Sequence, residues 1–130
     1  MKKTVICSIC SRAKKDDAGL LPAKDRYVGS HISKVRGFAK REGLPFFILS
    51  GVYGFISGDE LIPYYDHLLV AHEVEALVPS LLKQLRKHEV EVLHFYTKTK
   101  PNWVPYRKAL EEATKSLGIG LTVHELGDND

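Results

Sequence analysis

Cysteine is scarce in this chain: Cys7 and Cys10 are the only two in 130 residues. A secreted disulfide scaffold needs more of them, spread along the sequence, so both are expected to be reduced thiols. A structural zinc site takes four ligands, and no second C-x-x-C is present to complete one. No metal and no other cofactor is expected. Long apolar runs are missing as well. None approaches the roughly 20 residues that cross a bilayer, which excludes a membrane role. The glycine pattern of a Walker phosphate loop is absent, which argues against nucleoside-triphosphate hydrolysis. Repeats, low-complexity tracts and linkers are absent too, so residues 1–130 are expected to form a single α/β domain. The start, with Lys2 and Lys3 before a short apolar stretch, faintly resembles a secretory leader. Arg12, Lys14 and Lys15 interrupt it at once, so it reads better as a first strand of a cytoplasmic protein.

What is present is ordinary in amount and uneven in placement. Apolar residues make up 44% and charged residues 27%, as in a typical globular protein. Residues 1–41 hold 11 Lys/Arg against 3 Asp/Glu, whereas residues 42–130 hold 8 against 13. A basic half can attract phosphate-rich partners. The plainer reading makes Lys34, Lys40 and Arg41 the solvated face of a helix, and charge alone does not choose between the two.

Along the chain, strand and helix patterns alternate. Residues 3–9 are short, β-branched and mostly apolar, like a buried strand. Ser30 is placed to cap a helix running to about Glu42, with Ile32, Val35, Phe38 and Ala39 at helical spacing and Gly43 as its stop. Residues 45–50 form a second strand. Residues 51–68 read as a long connection punctuated by Gly51, Gly54, Gly58 and Pro63, and such connections are often functional. A helix follows over about 72–88, where Pro79 marks a kink or a first turn. Residues 90–96 make a third strand. Asn102 can cap a helix ending at Gly118, and residues 120–126 supply a fourth strand. This order predicts one three-layer α/β domain, a mainly parallel four-stranded sheet flanked by helices. Ligands of such folds collect beyond the carboxyl ends of the strands, here residues 10–15, 50–54 and 96–103.

Those tips carry the candidate chemistry. Cys7 sits inside a strand, a place for core packing rather than thioredoxin-type redox work; Cys10 lies where the strand ends. Ser11, Arg12, Lys14 and Lys15 can hold a phosphate or carboxylate, or form a solvated basic loop. Ser50, Tyr53 and Gly54 combine a ring able to stack on a base with a glycine that permits close approach; a turn with an aromatic plug explains them somewhat better. Asp66 can polarise a water with His67 as proton shuttle, or the pair can anchor a loop. His31, His72, His88, His94 and His124 read as surface or core fillers.

Four ordered blocks carry a resemblance: Cys10-Ser11-x-x-Lys14; Ala23-Lys24-Asp25-Arg26-Tyr27; residues 47–55, F-I-L-S-G-V-Y-G-F; and Asp59-x-x-Ile62-Pro63-Tyr64-Tyr65-Asp66-x-x-Leu69. They resemble the C-S-x-x-K, A-R-x-L-Y, I-L-S-A-K-Y-G-L and I-x-P-Y-D-x-x-L pattern of a family of small uncharacterised bacterial, archaeal and phage proteins. The third and fourth blocks are also similar to YaaA-type peroxide-stress proteins, which are linked to DNA binding. The resemblance covers about residues 3–70 and implies functional weight for Cys10, Ser11, Lys14, Tyr27, Ser50, Tyr53, Gly54, Tyr65 and Asp66. It departs at Val52, where that family usually has lysine, and at Pro63, one residue early, so that Tyr64 takes the proline position. A further likeness to uracil-DNA-glycosylase-type folds is analogy of fold alone.

Together these readings set an expectation of a protein directed at nucleic acid or a nucleotide. Ser11, Lys14 and Lys15 would hold phosphate, Tyr53 would stack on a base, and Asp66 would polarise a water or hydroxyl, with Lys14 beside it. The reaction, if one occurs, would lie at an N-glycosidic bond. The rival expectations are a non-catalytic DNA- or RNA-binding module and a protein-interaction accessory.

Overall fold

The computed structural model describes residues 2–127. Its main sheet is built on β1 (Lys3–Ile9), which lies between two parallel neighbours, β3 (Phe46–Ser50) and β6 (Val90–Thr97). A strand flanked on both sides must bury both faces. Val5, Cys7 and Ile9 accordingly enter one apolar cluster with Leu77, Leu81, Leu85, Ala109 and Leu110, while Ile6 enters a second with Val35 and Ala39. The helices that supply these partners are α2 (Ser30–Glu42), α3 (Val74–Lys87) and α4 (Val104–Leu117). Helix α2 lies against β1 and β3, and α3 and α4 pack on each other. A short α1 (Ala23–Arg26) precedes them.

The expected strands at 3–9, 45–50, 90–96 and 120–126 are all present, the last as β7 (Gly120–Glu125) parallel to β6. The main sheet nevertheless has five strands, in the order β4-β3-β1-β6-β7. The addition, β4 (Gly54–Ser57), pairs antiparallel with β3 inside the stretch that reads as a loop. Glycines hide it, because the turn between the strands needs Gly54 at φ +77°. The rest of that stretch includes β5 (Leu61–Ile62), which pairs with β2 (Leu21–Pro22) as a separate ribbon.

Helix ends follow the sequence at one terminus and not the other. Gly43 and Gly118 close α2 and α4 in the left-handed conformation, as expected. The N-caps are Gly29 and Trp103, neither with a side-chain cap, so Ser30 and Asn102 do not cap. Ser30 is already inside the helix, and Asn102 lies in a 3-10 turn, Pro101–Trp103. Pro79 sits in the interior of α3, six residues into the helix, rather than in its first turn.

Because β1, β3 and β6 run parallel, the chain leaves all three at one edge, at Cys10, Gly51 and Lys98. From β1 the chain passes to β3 on one side; the later strands β6 and β7 lie on the other. The loops after β1 and β6 therefore diverge from a switch in strand order, where α/β sheets open a crevice.

Candidate functional site

Two features occupy that edge, and Cys10 belongs to both. On the β3 side stands a buried cluster of phenols. Ser50 Oγ accepts the backbone N–H groups of Val52 (3.1 Å) and Tyr53 (3.0 Å), so its own hydrogen is free to donate to Tyr65 Oη at 2.9 Å. Tyr65 Oη also hydrogen-bonds Tyr27 Oη. The Tyr53 ring meets Tyr65 edge-on at 5.4 Å, and Lys14 Nζ lies 4.8 Å over the Tyr65 ring and 5.8 Å from that of Tyr27. Lys14 is brought there by a β-bridge to Tyr27. The Cys10 thiol donates to Tyr106 Oη (3.6 Å), which also accepts Leu69 N–H (3.0 Å).

Burial disfavours the charged forms of Cys10, Tyr27, Tyr65 and Tyr106. It pushes the Cys10 thiol up, against the opposing pull of Tyr106, the Gly51 N–H, Tyr65 and Lys14. The hydroxyls of Tyr27, Tyr65 and Tyr106 are likewise pushed up by burial and then by Cys10. At neutral pH the wall is a set of neutral hydrogen-bonding groups facing one ammonium.

On the β6 side lies a cavity of about 240 Å³. The first loop contributes Cys10, Ser11 and Arg12; the start of α2 contributes Gly29, Ser30 and His31; the turn after β6 contributes Asn102 and Trp103. Among the described residues no carboxylate lines it, and the first turn of α2 has no acidic residue. Ser11 ties the loop to the helix, donating to Ala13 O (2.6 Å) and accepting Gly29 N–H (3.2 Å). His31 Nε2 contacts Ile9 O at 2.8 Å, its ring meets Trp103 at 4.7 Å, and Lys98 Nζ stands 5.7 Å over the Trp103 ring. Burial first, then Lys98, lowers the His31 pKa. Larger hollows exist elsewhere. One of about 380 Å³ opens near the amino ends of the strands, at Lys2, Glu89 and Gly118. One of about 460 Å³ lies where α3 and α4 begin and includes Glu75 and Glu112. Neither combines the strand switch with an acid-free lining.

The expected site residues thus separate by role. Cys10, Lys14, Tyr27, Ser50, Tyr53 and Tyr65 converge as one cluster, and Ser11 joins the cavity. Lys15 is exposed, and its backbone rather than its ammonium is engaged. The close approach that Gly54 permits is taken by Gln84, whose amide accepts from Phe55 N–H and donates to Tyr53 O, both at 2.7 Å. Asp66 is exposed and makes no hydrogen bond or ion pair among the described residues. His67 pairs with Glu73 at 2.9 Å instead of with Asp66. His31, Trp103 and Tyr106 carry weight that their sequence positions do not advertise. Among the described residues no group of three or more potential ligands could hold a metal.

A family model matches residues 5–124, nearly all of the chain. The chain belongs to DUF6884, a family of unknown function. No curated protein and no solved structure matches it. The match covers the residues that build both halves of the site. Among the described residues no helix is long and apolar enough to cross a membrane.

Proposed function

We propose that this protein binds a nucleotide, free or at an accessible end of a nucleic acid, in the crevice between the carboxyl ends of β1 and β6. The observation that carries this reading is the acid-free cavity, with Arg12, the amino end of α2 and Trp103 in its lining. An uncapped helix start offers backbone N–H groups to an anion. Arg12 can pair with phosphate through two parallel hydrogen bonds, and Lys98 adds positive charge beside the indole. The basic first third of the chain and the motif likeness to the peroxide-stress proteins support the same class of partner.

A catalytic extension at an N-glycosidic bond assigns proton handling to Asp66, with Lys14 near the developing charge. No described side chain orients the Asp66 carboxylate, so binding is the better-supported part. Tyr53 remains the second stacking surface, on the β3 side.

Titration calorimetry with nucleoside 5′-monophosphates and short single strands tests the reading. Binding should weaken steeply with added salt, and Arg12→Ala should weaken it by about tenfold or more, the worth of a charge-assisted phosphate contact. Absence of binding to every nucleotide and strand at low salt contradicts the proposal. For the catalytic extension, Asp66→Asn should retain binding and lose base release; unchanged turnover removes Asp66 from that role.

A further inference from the structure

Resting on the nucleotide reading above, we infer that His31 selects the ligand by accepting, at Nδ1, a hydrogen bond from an N–H of its base. The argument begins with Ile9. A carbonyl oxygen has lone pairs and no hydrogen, so its 2.8 Å contact with His31 Nε2 requires that Nε2 carry the proton. A neutral ring then leaves Nδ1 as a bare acceptor. His31 is 6% exposed, and burial with Lys98 disfavours added positive charge more than the Ile9 and Cys10 carbonyls favour it, so the net shift is toward the neutral ring. No described residue donates to Nδ1.

Gly29 packs closely beside that nitrogen, and a side chain at this position would cover it. A β-carbon there would stand 3.2 Å from Nδ1, 3.0 Å from Cε1 and 2.7 Å from Ser11 Cβ. Gly29, His31 and Trp103 line the same cavity. With the His31 and Trp103 rings 4.7 Å apart at 61°, the cavity has an aromatic corner with one acceptor in it, which suits a flat heterocycle bearing an N–H. Its size, about 240 Å³, falls below the roughly 300–1,000 Å³ of drug-sized ligand pockets. One base with its attached groups fits that space better than a dinucleotide. The phosphate then lies toward Arg12 and the start of α2.

The test pairs each common nucleoside 5′-monophosphate with an analogue whose base N–H hydrogens are replaced by methyl. In the wild-type protein, methylation of the preferred base should weaken binding about tenfold or more, because a buried acceptor is left unpaired. In His31→Phe the same methylation should matter by about twofold or less, below the worth of one hydrogen bond. Equal sensitivity in both proteins, or none in the wild type, overturns the inference while leaving the nucleotide reading intact. Failure of every monophosphate and strand to bind removes both. Should His31→Phe not fold, nitrogen NMR of the wild-type imidazole decides. The Nδ1 resonance should be that of an unprotonated nitrogen and shift on ligand addition; a protonated Nδ1 or an unmoved signal overturns the inference.

Discussion

Arg26→Ala is expected to destabilise the protein by about 3–5 kcal/mol, a large share of the 5–15 kcal/mol that holds a domain of this size together. Arg26 is fully buried. Its guanidinium donates to the carbonyls of Lys15 (2.7 Å), Asp17 (3.0 Å), Gly19 (2.7 Å) and Ile62 (3.3 Å). One side chain thus gathers the polar loop after β1 and stitches it to β5. Alanine removes every donor at once, leaving acceptors without partners and a void the size of an arginine side chain. Each unmet buried acceptor costs about 1–3 kcal/mol unless water reaches it, and water entry into the loop sets the lower end of the range. Arg26→Lys keeps the charge but not the fork, so it should recover about half of the loss. Urea unfolding measures both. A shift of less than about 1 kcal/mol for Arg26→Ala, the scale of an ordinary surface change, contradicts this role. Hydrogen exchange should locate the first loosening at residues 15–19.

The second large effect is expected at Gly54. Its φ of +77° costs an L-residue about 1–2 kcal/mol. A β-carbon there also runs into the Gln84 carboxamide, which holds the turn through Tyr53 O and Phe55 N–H. Displacing that amide forfeits two hydrogen bonds worth about 1 kcal/mol each. Gly54→Ala should therefore cost about 2–4 kcal/mol. In a Gln84→Ala background the collision is gone, and the same change should cost only the backbone share, about 1–2 kcal/mol. Equal costs in both backgrounds would show that Gln84 is not what makes glycine necessary. Because Tyr53 belongs to the same turn, the substitution should also disturb the Tyr53–Tyr65 contact.

These two residues show where sequence reasoning reaches and where it stops. The central strands are legible because burial on both faces demands mostly apolar runs such as residues 46–49 and 3–9. Helix ends at Gly43 and Gly118 were legible because few residues but glycine adopt that backbone comfortably. Strand β4 was not, since its pairing depends on a turn whose glycines look like a break. Strand order was not legible either. Nothing in a β-α-β succession says that β1 lies in the middle, and only that order sets Trp103 beside His31. The residues near Cys10, Lys14, Tyr27, Ser50, Tyr53 and Tyr65 were found through motif likeness and the shared sheet edge, and they do converge. Arg26 and Gln84 escaped because a buried guanidinium or amide has no sequence signature apart from its partners. His31 reads as a filler in the sequence for the same reason: its meaning lies in the Ile9 carbonyl and in the Trp103 ring beside it.

Trp103 is the single tryptophan of the chain, and it lines the cavity, so its indole N–H gives one NMR signal that reports on the site. Adding a nucleoside 5′-monophosphate at low salt should shift that signal together with the amides of residues 10–13, 29–31, 102–104 and 106, and leave those near Lys2, Glu89 and Gly118 in place. Shifts confined to the amino ends of the strands, or spread over the basic face of α2 with the indole unmoved, contradict a nucleotide site in the β1–β6 crevice.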